Sequence, residues 1–346
     1  MTCTSARTWL DIAPSPTRIM SIPPLPANTS LKGLSFLITG ATAGLGYSTA
    51  LLALQLGASP VYITARNAAK GTKTLESLLA DPVVKAKNPN AKVEIYDLDM
   101  ARWESVLAFG DKFVKDREAK GERLDIAVLN AGIAGVTWEQ APTGNEMMVQ
   151  VNHLSTALLS LLLLPLLEKS TTPEHTARLT IVSSGMHLQR WGKLKQCPPA
   201  NVNYLQTLND KSRFDGLQRY GVSKMLVIFF VRYLAARISP DKVIVNNVCP
   251  GVVKTSINDR MPLWTWPILW MMGRGSNTPE NGARAYIYGA AVVGKESQGQ
   301  WYSCSKLRAY SDFVLSKEGE KMQEKEWKET MEVLEKVRPG VSNVVS

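Results

Sequence analysis

Tyr220 and Lys224 stand four residues apart in "YGVSK", in a stretch that runs on as "MLVIFFVRYLAAR". The apolar periodicity of that stretch predicts a helix, and positions i and i+4 share one helix face. A tyrosine hydroxyl ordinarily ionises near pH 10, so it moves protons poorly at neutral pH. A cation beside it favours the phenolate and lowers that value. The pair is therefore a candidate proton donor and acceptor; the same spacing also describes an ordinary surface pair. A second candidate lies far upstream, in "LITGATAGLGYSTA" at 37–50. There an apolar run ends at Thr39-Gly40, and Gly44 and Gly46 follow. Each glycine costs backbone entropy, so such a cluster implies a tight turn or a close approach to the backbone.

The elements that position these residues are legible as a pattern. From residue 34, short β-rich runs alternate with helical stretches: "LSFLITG", "SPVYITAR", "AKVEIYDL", "RLDIAVLNAG", "ARLTIVSS", "DKVIVNNVCPG" and "QGQWYS". Segments 44–57, 101–118, 144–169 and 217–238 between them carry helical periodicity. Strands that are apolar along their length, separated by helices, imply a parallel sheet covered on both faces. The expected fold is thus α/β: a single-domain, Rossmann-type, doubly wound parallel sheet of about seven strands. Ligands in such sheets bind at the carboxyl ends of the strands.

The glycine cluster then falls after the first strand and at the start of the first helix. Free N–H groups and a partial positive charge there suit a pyrophosphate. Gly40 permits the tight turn, Gly44 the close approach, and Gly46 the packing of helix on strand. No Gly-Lys-Ser/Thr follows, which excludes the phosphate loop of nucleotide hydrolases. A NAD site places an acid at the end of the second strand. "VYITARN" offers Thr64, Ala65 and Arg66 instead. Arg66 can pair with a 2′-phosphate, Thr42, Ala43 and Thr64 are small enough to leave room for it, and Ala65 stands where an acid would repel it. The pattern predicts NADP(H); the plainer alternative is a solvated arginine at a helix start.

Composition narrows the remaining classes. The chain has 346 residues, 45% apolar, enough for one large domain or two average ones. Its formal charge of +10 is scattered rather than gathered into a basic stripe, so no nucleic-acid partner is expected. Cys3, Cys197, Cys249 and Cys304 lie far apart without disulfide or metal spacing. They read as free thiols in a reducing, cytoplasmic compartment, and no metal is expected. The longest apolar stretch, "LSTALLSLLLLPLL" at 154–167, contains Ser155, Ser160 and Pro165 and is too short to span a bilayer, so it reads as a buried core helix. Residues 1–33 carry five prolines and a single acid, Asp11. They form a flexible Pro-rich extension, although Arg7 and Arg18 also fit a targeting segment. Residues 34–310 form the cofactor-binding domain, and 311–346 a charged C-terminal helix and tail.

Taken in order, these motifs resemble the short-chain dehydrogenase/reductase family over most of residues 34–305. Gly40-Ala-Thr-Ala-Gly44-Leu45-Gly46 is similar to its nucleotide turn, and Leu98-Asp99-Met100 to its adenine-contacting strand end. Asn130-Ala131-Gly132 resembles the motif behind the cofactor. Asn152 in "VQVNHLS" resembles the helix asparagine that orders a proton-relay water. Ser184, closing "IVSS", resembles the catalytic serine, with Ser183 as a rival. Pro250-Gly251, Val253 and Thr255 resemble the loop around the nicotinamide carboxamide.

The resemblance implies residue roles. Tyr220 would give or take the hydroxyl proton, and Ser184 would hold the substrate oxygen. Lys224 would bind the nicotinamide ribose and lower the Tyr220 pKa, and Asn152 would link Lys224 to solvent. His153, His175 and His187 show no ligand spacing and read as ordinary polar residues. Ser184 and Tyr220 lie 36 residues apart, a long interval resembling retinol-dehydrogenase-like members, as does "ITARN". Insert 185–216 holds Trp191, Leu194, Tyr204 and Phe214. Stretch 256–278, with Trp264, Trp266, Trp270, Met271 and Met272, sits where the family carries its substrate lid. An apolar lid implies a bulky lipophilic alcohol or ketone; simple packing and shallow membrane-surface contact are its rivals. The whole is similar to fungal members acting in secondary metabolism, and the family often pairs through helices, which leaves a homo-oligomer open. The expected activity is NADP-dependent hydride transfer, set against a catalytically silent cofactor-binding scaffold and a lipid-surface dehydrogenase.

Overall fold

The computed structural model describes residues 21–188, 201–254 and 276–345. Eight strands form one sheet: β1 (Phe36–Ile38), β2 (Val61–Ala65), β3 (Val93–Asp97), β4 (Ile126–Leu129), β5 (Ala177–Val182), β6 (Val243–Cys249), β7 (Trp301–Ser303) and β8 (Lys306–Arg308). Their order is β3-β2-β1-β4-β5-β6-β7-β8. The first seven are parallel, as the alternating pattern predicts. The eighth corrects the expected count: it turns back antiparallel through Cys304 and Ser305, both at positive φ. Its residues are exposed, so it carries no apolar run that would announce it.

Alternation along each strand fills two cores. Leu37 of β1 faces one cluster with Phe109, Leu158 and Phe230, while Phe36 and Ile38 face the other with Ala50, Leu54 and Tyr286. Burying each such side chain contributes about 1.5–3 kcal/mol. The first cluster is covered by helices α4 (Trp103–Lys120), α5 (Ser155–Ser170) and α7 (Gly216–Ala235). The second is covered by α1 (Gly44–Gln55), α2 (Ala68–Ala80), α3 (Pro82–Lys87) and α8 (Pro279–Ile287). Strand order reverses between β1 and β4, which opens a crevice at their carboxyl ends.

Two elements depart from simple periodicity. The helix expected over 144–169 begins as a π-turn, Val149–Leu154, which runs into α5. The combined helix Val149–Ser170 is long and apolar enough to cross a membrane by composition, yet 89% of its most apolar window is buried inside the protein, as a core helix requires. The chain ends with α9 (Asp312–Leu315) and α10 (Lys317–Val337). Trp327 of α10 stacks on Phe230 of α7 with ring centroids 5.6 Å apart. The charged helix thus has a face built into the protein.

Candidate active site

The α1 side of the crevice is made of backbone. Gly40 and Gly44 take positive φ, 68° and 53°. A Cβ on Gly46 would lie 2.2 Å from the Gly40 carbonyl oxygen, so only glycine lets α1 begin against this turn. Thr39 Oγ1 accepts from the Asn130 and Ala131 amides at 3.0 and 2.9 Å. Asn130 Nδ2 donates back to the Thr39 carbonyl at 2.8 Å. Asn130 therefore ties the end of β4 to the glycine turn. Helices α2, α8 and α10 start with side-chain caps from Asn67, Thr278 and Ser316. In α1 the cap residue is Ala43, no side chain caps the helix, and the first turn carries no acid. Its leading N–H groups are left for an anion, the cradle a pyrophosphate needs. Leu45 packs toward α8, where a Cβ on Gly282 would meet its Cδ2.

Arg66 is exposed just past the end of β2, a position that fits a phosphate partner and a solvated residue at a helix start alike. Two neighbours pack closely here. Thr64 does not simply leave room: its Oγ1 accepts from the Gly40 amide at 3.1 Å and holds the turn. Ala65 is buried, and a Cβ on Gly71 would lie 3.1 Å from its own Cβ, so the end of β2 sits close against α2. Asp99 Oδ1 accepts from the Ala101 amide at 3.0 Å. Met100 buries its side chain in the core, which leaves its backbone as the part able to face an adenine. Gly251 follows β6 at φ 72°, and Val253 bridges to Asn277. Pro250 and Gly132 lie at the adjoining strand ends, whereas Thr255, Trp191, Leu194, and Trp264 to Met272 fall outside the described residues.

The opposite side is made of side chains. Ser183 and Ser184 separate clearly. Ser183 is buried with its hydroxyl on Asn247 Oδ1 at 2.8 Å, and Asn247 Nδ2 donates to the Tyr310 hydroxyl at 2.8 Å. Ser184 lies beside the Tyr220 hydroxyl, close enough to lower its pKa. Lys224, one helical turn further, is 4% exposed and its Nζ donates to the Val182 carbonyl at 2.9 Å. Asn152 Oδ1 accepts from the Ile133 amide at 2.8 Å, and its Nδ2 donates to the Ile133 carbonyl and to Ser223 Oγ, both at 2.9 Å. Gly132 lies between: a Cβ there would be 3.1 Å from Asn152 Oδ1 and 3.4 Å from Lys224 Nζ. Asn152, Ser184, Tyr220 and Lys224 thus come together at the carboxyl ends of β4, β5 and β6.

The electrostatics differ from the expectation that Lys224 lowers the Tyr220 pKa. Burial pushes the Tyr220 hydroxyl up to about 12, with the Ser184 hydrogen bond opposing the shift. Burial pulls Lys224 down to about 8. Each group is therefore shifted toward its neutral form. The Cys249 thiol is buried and pushed up, which makes it a poor nucleophile.

Three features escaped sequence reasoning. His187 is buried, donates from Nδ1 to the Ser184 carbonyl at 2.8 Å and sits edge-on to Trp301. Desolvation lowers its pKa, so it orients the Ser184 turn as a neutral ring. His153 is also buried, against Glu326 and Thr330 of α10. Neither is an ordinary surface polar residue. In the insert, Tyr204 starts α6 (Tyr204–Leu208) inside a core cluster, and Phe214 packs edge-on against Trp138. Partners so distant in sequence leave no local signal.

Comparison with known proteins agrees with this geometry. The family model described as short chain dehydrogenase matches residues 35–194, and one described as Enoyl-(Acyl carrier protein) reductase matches 201–265. A short chain dehydrogenase of Arthrobotrys oligospora is 39% identical over 327 residues, 92% of this chain and 97% of that protein. The short-chain dehydrogenase/reductase tropG of Talaromyces stipitatus is 33% identical, over 91% of this chain and 95% of its own. Among solved structures, the oxidoreductase yciK of E. coli has a TM-score of 0.60 at 22% identity, covering 81% of this chain and 98% of its own. The Pseudomonas aeruginosa RhlG/NADP active-site complex has a TM-score of 0.57 at 23% identity, covering 80% and 96%. The chain belongs to the short-chain dehydrogenase/reductase family, whose members are oxidoreductases that use a nicotinamide cofactor.

Proposed function

We propose that this protein is an NADP(H)-dependent enzyme that passes hydride between the nicotinamide and the carbonyl carbon of a lipophilic ketone or secondary alcohol, with secondary metabolites as its substrate class. The observation that carries the reading is the meeting of Ser184 with the Tyr220 hydroxyl beside it, buried Lys224 one turn on, and Asn152 across Gly132. The uncapped start of α1 and the close contact at Gly46 fit a dinucleotide. When bound, the nicotinamide donates or accepts the hydride. Tyr220 gives the proton to the substrate oxygen in reduction and takes it in oxidation. Ser184 donates a hydrogen bond to that oxygen. Lys224 holds the ribose, and once turned from Val182 toward the phenol its charge favours the phenolate. Asn152 connects Lys224 to solvent. Pro250, Gly251, Val253 and Thr255 hold the carboxamide end, and Asp99 and Met100 the adenine.

Structural neighbours bind NADP in one case and NADH in another, so cofactor choice rests on this chain's own residues. Exposed Arg66, with no acid at the end of β2, favours NADP(H). A lipophilic substrate is supported by Leu188 and Val252, both 46% exposed, which follow the Ser184 turn and Gly251. Fungal short-chain dehydrogenase relatives support a secondary metabolite as the small-molecule substrate. A panel of lipophilic ketones and alcohols, followed by nicotinamide absorbance with NADPH and with NADH, tests the reading. Turnover is expected with NADPH in preference to NADH. Tight NADPH binding without turnover of any member would instead favour a silent scaffold.

A further inference from the structure

We propose that α10 is a positioning element of the active site: through Glu326 and Thr330 it grips His153 and thereby fixes the π-turn that presents Asn152. The proposal rests on the reading of Asn152, Tyr220 and Lys224 given above. His153 Nε2 lies 2.8 Å from both Glu326 Oε1 and Thr330 Oγ1, and the Thr330 hydroxyl donates to Glu326 Oε1 at 3.0 Å. All three residues are almost completely buried. A carboxyl group set among Met322, Trp327 and Leu334 is disfavoured unless it is paired. Apolar residues often replace such a buried pair at no loss of stability, so packing alone does not require Glu326. What the pair supplies is direction.

The element it grips needs holding. A π-turn carries an extra residue and departs from the regular hydrogen-bond ladder. Its start is held by buried Glu146, which accepts from the Met148 and Val149 amides at 3.1 and 3.0 Å. Its middle is held from two sides: Asn152 by Ile133 and Ser223, and His153 by α10. The His153 ring also lies edge-on to Phe230 of α7, which Trp327 stacks against from α10. Helix α10 reaches the other flank as well. Glu329 accepts from the Tyr204 and Leu205 amides, both at 2.9 Å, and caps α6 in the segment leading to Tyr220. One C-terminal helix therefore braces the turn behind Asn152 and the helix that carries Tyr220 and Lys224.

The Ile133 amide, bonded to Asn152 Oδ1, reports on this device without any substrate. Its hydrogen exchange is measured by NMR in wild type, Glu326→Leu, Thr330→Val, Asn152→Ala and the Glu326→Leu/Asn152→Ala double variant. Loss of the grip should raise exchange at Ile133 about tenfold, on the scale of one lost hydrogen bond. The double variant should exchange no faster than Asn152→Ala alone. With the ketone that turns over best in the panel, kcat should fall about tenfold while NADPH affinity stays unchanged, and Glu326→Gln, which keeps an acceptor for His153, should restore most of it. Unchanged exchange at Ile133 in folded Glu326→Leu would overturn the proposal; should that variant not fold, Thr330→Val decides in the same way. Raised exchange combined with normal turnover by Tyr220→Phe would contradict the catalytic reading and leave the positioning one standing.

Discussion

The glycine turn at the start of α1 and the α7 wall solve the same problem, fixing a ligand, by opposite means. The turn is backbone: Gly46 approaches the Gly40 carbonyl, and α1 offers uncapped N–H groups. The wall is side chains: Tyr220 beside Ser184, Lys224 bonded to Val182, Asn152 to Ile133 and Ser223. A backbone cradle binds a constant feature, phosphate, and tolerates no added atom. A side-chain wall places groups whose proton affinities are set by burial. The cradle is therefore sensitive to volume, and the wall to charge.

The first test breaks the cradle. Gly46→Val must displace the Gly40 carbonyl, at a cost of about 1–3 kcal/mol or more. NADPH affinity should fall at least about tenfold in a protein that still folds. Isothermal titration with NADPH checks this, and wild-type affinity would show that the cofactor does not use the turn. Arg66→Leu sharpens the comparison, because it removes charge from the cradle's rim without adding volume. A charge-assisted hydrogen bond contributes about 1.5–3 kcal/mol, so NADPH affinity should fall about 10- to 150-fold while NADH affinity stays the same. An equal loss for both cofactors would place Arg66 elsewhere in the site.

The third prediction concerns the wall. Lys224 is pulled down to about 8 in the folded protein, below its unfolded value, so the unfolded chain binds the proton more tightly. The penalty of burying the cation is complete below pH 8 and disappears as pH rises toward 10.5. Lys224→Met should therefore be more stable than wild type at pH 7, by roughly 1–3 kcal/mol, with the gap narrowing toward pH 9.5. Tyr220 does not disturb this window, since its raised value alters stability only above pH 10. Denaturant unfolding at the two pH values measures the gap. A gap that widens with pH would mean that Lys224 is not desolvated.

The contrast between cradle and wall also explains what the sequence made legible. Gly40, Gly44 and Gly46 announce themselves because their backbone requirement is local, and β1–β7 because parallel strands are buried on both faces. Tyr220-x3-Lys224 is visible because four residues return to the same helix face. The bonds that hold these groups are not visible. His153 meets Thr330 across 177 positions, and Ser183 meets Asn247 across 64. No local pattern marks His187 as buried, or Glu326 and Glu329 as buried acids of an otherwise charged helix. The short exposed strand β8 lacks periodicity of any kind. Burial also reversed one inference: spacing places a cation near Tyr220, but desolvation decides the sign of its shift.

The most direct test of the central claim, that Tyr220 moves the proton while hydride passes through the nicotinamide, is single-turnover reduction by Tyr220→Phe. NADPH and the best ketone from the panel are mixed with excess enzyme, and loss of nicotinamide absorbance is followed beside wild type. The substitution removes one hydroxyl and leaves the cradle intact, so NADPH should bind with unchanged affinity. The rate of hydride loss should fall about 10²- to 10⁴-fold, the contribution of a positioned proton donor. A rate within a few fold of wild type, at unchanged NADPH affinity, would contradict the account.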